Sequence, residues 1–125
     1  MRELGAIAVP FGGYVGFHGE KLVRWYGAER LERMFAHRSF LAGGVAVAGS
    51  SNYPCGPFEP LTAMQSCVTR QGPDGRVLGG AQRISALDAL KVDTVGSAIA
   101  SGESNVKAGW HRETSSTPPS CPTTP

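Results

Sequence analysis

Gly44-Val45-Ala46-Val47-Ala48-Gly49-Ser50-Ser51-Asn52-Tyr53-Pro54 is the stretch whose reading decides the fold. A short apolar, β-branched run breaks abruptly into small and polar residues, followed by Gly56 and Pro57. That pattern reads as a fully buried strand whose C-terminal end opens into a loop. In α/β folds ligands and catalytic groups collect at the C-terminal ends of parallel strands. Ser50, Ser51, Asn52 and Tyr53 are therefore the first candidates for chemistry.

Upstream, Gly5-Ala6-Ile7-Ala8-Val9 reads as a second buried strand, closed by Pro10 and Gly12-Gly13. It opens into a loop expected to carry Phe11, Tyr14, Phe17 and His18. Residues 20–26 place Leu22, Val23 and Tyr26 at helical spacing, with Gly27 as the stop. Residues 28–35 set Leu31, Met34 and Phe35 against Glu29, Arg30, Glu32 and Arg33, the pattern of an amphipathic surface helix. A further short helix over 37–42 ends at Gly43-Gly44.

Downstream, Pro60 suits a first helical position. Leu61, Met64 and Val68 extend that helix to about Arg70, and residues 71–75 form a turn. Ser85-Ala86-Leu87-Asp88 fits a capping box with Asp in place of the usual Glu. Leu87, Leu90, Thr94 and Ala98 are expected on the inner face of the helix that follows. Two buried strands joined by a helical crossover imply a parallel βαβ unit. Parallel sheets need cover on both faces, so the pattern describes a piece of an α/β architecture.

The 125 residues suffice for one domain with a modest core, and 17 glycines and 9 prolines imply many turns. A net charge of +2, from 12 basic and 10 acidic residues mixed along the chain, argues against a nucleic-acid or membrane surface. No targeting segment is evident, and the apolar run over 41–49 cannot span a bilayer. A soluble, cytoplasmic protein is expected. Cys55, Cys67 and Cys121 are an odd number without CxxC spacing, which implies neither a disulfide framework nor a zinc site.

An ordered series of segments carries a family resemblance. It runs through Leu4-Gly5, His18-Gly19-Glu20, Tyr26-Gly27-Ala28-Glu29-Arg30 and Arg33-Met34-Phe35-Ala36-His37-Arg38-Ser39. After the opening stretch it continues with Gly56-Pro57-Phe58-Glu59-Pro60-Leu61, Gln65-Ser66-Cys67-Val68-Thr69-Arg70, Arg83-Ile84-Ser85 and Ala89-Leu90. These residues resemble the C-terminal part of metal-dependent amidohydrolases, in the subgroup of YtcJ-like and N-substituted formamide deformylase-like hydrolases.

The resemblance implies an α/β fold, a partial TIM barrel. Residues 1–109 would be the C-terminal portion of the barrel domain, with strand seven near 5–9 and strand eight near 45–48. A complete barrel needs about 250 residues. It also implies hydrolysis of non-peptide carbon–nitrogen bonds in a small amide-type substrate. Zinc or a similar divalent metal is expected in the full-length family, held by histidines on strands this chain does not contain.

The one metal ligand and general base expected here is an Asp in a Gly-Ser-Ser-Asp-Tyr-Pro pattern. Asn52 stands at that position. An amide is a neutral, weaker ligand and cannot serve as a base near neutral pH. The resemblance thus implies a fragment that is inactive alone and holds no metal. The alternatives are half of a split enzyme completed by another chain, and a non-enzymatic binding module.

His18, Tyr53 and Phe58 are the substrate-facing candidates. His18 and His37 lack paired ligand spacing, Arg38 and Arg70 are expected to tie helices and loops together, and Cys55 and Cys67 to be inert thiols. The match fades after Lys107, as a shifted reading frame would cause, and the Ser/Thr/Pro-rich residues 110–125 are expected to be disordered.

Overall fold

The computed structural model describes residues 1–107; the expectations for residues 110–125 lie outside them. Strands β1 (Ile7–Ala8) and β2 (Ala46–Val47) pair in parallel, Ile7 opposite Ala46 and Ala8 opposite Val47. The pairing reappears at a bridge between Phe11 and Ser50, where the Gly12 N–H donates to the Ser50 carbonyl at 3.2 Å. The crossover consists of α1 (Tyr14–Tyr26), α2 (Ala28–Leu31) and α3 (His37–Ala42). After β2 come α4 (Pro60–Thr69), α5 (Ala86–Lys91), a π-helical turn at Val92–Gly96 and α6 (Ser97–Ala100).

The expectation of strands buried on both faces needs correction. Ala8 and Val47 share one face and are buried, whereas Ala46 on the other face is exposed. Among the described residues, helices cover only the first of these faces.

The loop expected after β1 is in fact helix. α1 begins at Tyr14, so Tyr14, Phe17 and His18 stand on its first turns. Four glycines hid this from a propensity reading. Their lack of side chains is what lets α1 pack closely. A Cβ on Gly12 would crowd Cys67 and Ala63 of α4, and one on Gly19 would strike Leu78. The Gly16 N–H also donates to Ser66 Oγ at 3.0 Å.

The helix expected over 28–35 stops at Leu31. Phe35 adopts a left-handed φ of 48°, and the carbonyls freed by the break are taken up by Arg70. In α4, Pro60 occupies the first turn as expected, but Ala63, Ser66 and Cys67 face inward and Leu61 faces solvent. The cap of α5 forms one half of the capping box, with Ser85 Oγ accepting from the Asp88 N–H at 3.0 Å. The Asp88 carboxylate accepts from Ser85 Oγ rather than from its backbone N–H. Of the inner face expected for this helical arm, Ala98 is buried but the leucines are not. Ala89, Val92, Gly96 and Ala98 are buried, while Leu87 and Leu90 are exposed. The reason is distance: Gly96 lies against the Val47 carbonyl, and the Gly49 N–H donates to the Val92 carbonyl at 3.0 Å. Only small side chains fit so close to a strand.

The core has two parts. One joins Val47, Cys67, Ile84, Ala89 and Val92; the other joins Val15, Leu22, Leu31 and Leu78. Arg70 lies near both, 1% exposed.

Candidate functional site

The C-terminal ends of β1 and β2 gather Tyr14, His18, Asn52 and Cys55. Asn52 turns the chain just after the bridge at Ser50, with a φ of 51°. Asn tolerates this left-handed region better than most residues because its short side chain can bond locally. The turn aims the Asn52 amide at α1, where Nδ2 donates to Tyr14 Oη at 2.6 Å. His18, one helical turn beyond Tyr14, places Nε2 2.7 Å from the Cys55 carbonyl and so donates to it. Tyr14 packs edge to face on Phe11, His18 and Phe35. Gly56 lets the loop settle here, since a Cβ would press on the Ser51 carbonyl and the Tyr14 ring.

Two of the residues singled out in the sequence, Asn52 and His18, therefore meet through Tyr14. Tyr53 and Phe58 do not join them. They stack on each other edge to face, centroids 5.9 Å apart, and stand 68% and 65% exposed. Tyr14 was missed as a site residue. Its signal was the i, i+4 spacing to His18, hidden while this segment read as loop.

Chemically, the cluster offers hydrogen-bonding groups. Asn52 keeps a free carbonyl oxygen as an acceptor, Tyr14 a hydroxyl proton to donate, and His18 a bare Nδ1 once Nε2 carries the proton. No carboxylate belongs to it. Among the described residues there is no group of three or more His, Cys, Asp or Glu able to hold a metal ion. These residues therefore do not by themselves fit a hydrolytic metal centre, and Asn52 cannot supply the base such a centre uses.

A second His lies elsewhere. His37 is 1% exposed, with Nδ1 donating to the Phe35 carbonyl at 2.9 Å and Nε2 3.6 Å from Cys67 Sγ. Burial holds His37 below its ordinary pKa and pushes the Cys67 thiol up to about 12. Both partners are neutral at physiological pH, so the pair is not an activated nucleophile. It packs the core.

Arg70 is also structural. Nε donates to the carbonyls of Leu78 and Gly79, Nη1 to Phe35, and Nη2 to Leu31 and Met34, at 3.0–3.4 Å. With Nε shared between two carbonyls, four of its five N–H donors are committed to the backbone, and the side chain is buried.

The sequence pattern of the amidohydrolase family matches residues 1–113. The chain belongs to the amidohydrolase family. It is 32% identical over 114 residues to N-substituted formamide deformylase of Arthrobacter pascens, a match covering 87% of this chain and 21% of that protein. Its identity to the amidohydrolase YtcJ of Bacillus subtilis (strain 168) is 31% over 75 residues, 58% of this chain and 14% of the relative. The fold resembles that of an uncharacterized metal-dependent hydrolase from Pyrococcus furiosus, with a TM-score of 0.64 at 20% identity over 85% of this chain and 21% of that one. This amidohydrolase chain thus spans about a fifth of the length of the relatives it matches.

Proposed function

We propose that this chain forms the last two-strand corner of a TIM-barrel amidohydrolase that hydrolyses non-peptide carbon–nitrogen bonds in small amide-type molecules. On this reading β1 and β2 are strands seven and eight. The Asn52–Tyr14–His18 cluster lies at the barrel mouth, and the chain does not turn over substrate unaided. Asn52 carries the argument: the strand-end position from which a carboxylate would act holds a neutral amide bonded to a phenol. On this reading the metal-binding residues come from other strands of a complete barrel, to which a divalent metal would belong.

In a complete barrel the cluster has a clear polar role. The Asn52 carbonyl can accept from a substrate N–H, and the Tyr14 hydroxyl can donate to a carbonyl oxygen. His18 fixes the loop through Cys55. Together they orient an amide without activating water.

The test is an assay of the purified chain, with zinc and with manganese, against a set of N-alkylformamides and N-arylformamides, alongside Asn52→Asp. Neither form should release amine above the rate of buffer with metal. Metal-dependent turnover by the unmodified chain overturns the reading, since Asn52 would then suffice.

A further inference from the structure

A cavity of about 180 Å³ is walled by the end of β2, the start of α4 and the π-helical turn. Asp93 enters it at the place where Gly49 lacks a side chain; a Cβ there would fall on the carboxylate. Among the described residues, Asp93 has neither a hydrogen-bond partner for its carboxylate nor a basic residue paired with it. Burial raises its pKa, with no neighbouring charge contributing. The carboxylate is half-buried and its oxygens stay open to solvent, so a donor entering the cavity can reach them.

The rest of the wall defines a complement. Ser97 Oγ spends its proton on the Val92 carbonyl at 3.3 Å, leaving lone pairs for a donor. Ser50 Oγ and Ser51 Oγ each accept one backbone N–H, from Asn52 and Tyr53, and keep a second lone pair. Phe58, Pro60 and Ala63 add apolar surface to the lining. One carboxylate, hydroxyl oxygens and an apolar wall match a primary ammonium head on a short hydrocarbon body. An ammonium presents three donors, and an aromatic face adds cation–π attraction. A bare divalent metal is a poorer match, because Asp93 is the one carboxylate in the wall. The volume lies below the roughly 300–1,000 Å³ of drug-sized pockets, which selects a small amine.

We infer that the cavity between β2, α4 and the π-helical turn is a binding site for a small primary alkyl- or arylalkylammonium ion, held by Asp93 with Ser97 and seated against Phe58. The site borders the Asn52 turn through Ser50 and Ser51, and it does not depend on the proposed hydrolytic role. Titration of the full chain with n-butylammonium chloride, followed by two-dimensional NMR, tests it. Saturable shifts should centre on residues 49–51 and 93–97. n-Pentanol, neutral and of similar size, should bind about tenfold more weakly or worse, as loss of a charge-assisted contact requires.

Asp93→Asn should weaken butylammonium by about tenfold and leave pentanol unchanged, since only the charge is removed. Equal binding of butylammonium and pentanol to the unmodified chain overturns the inference, and this comparison needs no variant to fold. The absence of saturable shifts overturns it as well. So does tighter binding of magnesium than of butylammonium at residues 93–97.

Discussion

Arg70 shows how one residue can close a fold without meeting an acid. It terminates α4 at a left-handed φ of 53°, and its guanidinium reaches five carbonyl oxygens from two separate segments. The oxygens of Leu31, Met34 and Phe35 are those exposed where α2 breaks, so the cation occupies the negative end of a helix. A planar fork with five donors suits this position and an ammonium does not. Arg70→Ala should destabilise the chain by about 3–5 kcal/mol, the range for removing a buried charged partner. Arg70→Lys should recover less than half of that. Chemical denaturation of the two variants checks both, and a Lys variant as stable as the parent would show that charge alone suffices.

His37 sets the acid response of the same region. Burial is the main cause of its lowered pKa, opposed by its bond to Phe35 and aided by the nearby Arg70 charge. The folded chain therefore prefers neutral His37, while the unfolded chain takes up a proton near the ordinary value of 6.5. Stability should be highest above that pH and fall as pH drops from about 6.5 through the lower folded value. Asp93 has the opposite sign: its raised pKa gives stability back as pH falls toward 3.8. The His37 effect begins at 6.5, and the Asp93 effect ends at 3.8. His37→Asn retains a donor for the Phe35 carbonyl and should flatten melting temperature between pH 7.5 and 5. An unchanged slope in that variant would assign the acid response to another group.

At the scale of elements, the capping box is the clearest local device. Ser85 Oγ accepts from the Asp88 N–H and donates to its carboxylate at 2.7 Å, satisfying a donor that the helix start leaves free. Ser85→Ala should cost about 1 kcal/mol, whereas Ser85→Asp should cost a few tenths at most. Thermal melts of the pair separate a capping role from simple solvation, which would treat both alike. This cap was legible because its chemistry is local, as was Pro60 in the first turn of α4. The parallel strand pair was legible from apolar runs ended by Pro and Gly. The start of α1 was not, because Gly12, Gly13, Gly16 and Gly19 read as loop until their contacts with α4 and Leu78 are known. The inner face of α5 was obscured for the same reason: close approach to β2 favours Ala89 and Gly96 over leucine. Asp93 escaped notice because nothing in its neighbours in sequence marks it. Its meaning comes from Gly49, 44 positions away.

At the scale of the whole molecule, several large apolar side chains of the described residues stand open to solvent. Leu87, Leu90, Val95 and Ile99 stand 42–60% exposed along the α5–α6 arm. Val95 and Ile99, with Leu41 and Val47, line an apolar depression of about 270 Å³ beside β2. The π-helical turn blunts part of that strand edge through the Gly49–Val92 bond, yet it leaves Ala46 uncovered. Exposed strand and contiguous apolar side chains together favour association. Sedimentation of the isolated chain should therefore reveal concentration-dependent self-association. Ile99→Lys should reduce it, by placing a charge in the depression while removing little buried surface. Melting temperature at low concentration should stay nearly constant in that variant, because Ile99 is 43% exposed in the single chain. A parent chain that remains monomeric and melts cooperatively at high concentration would mean that this surface needs no cover. The corner would then be a domain that stands by its own packing, and the proposal that it completes a larger barrel would lose its physical motive.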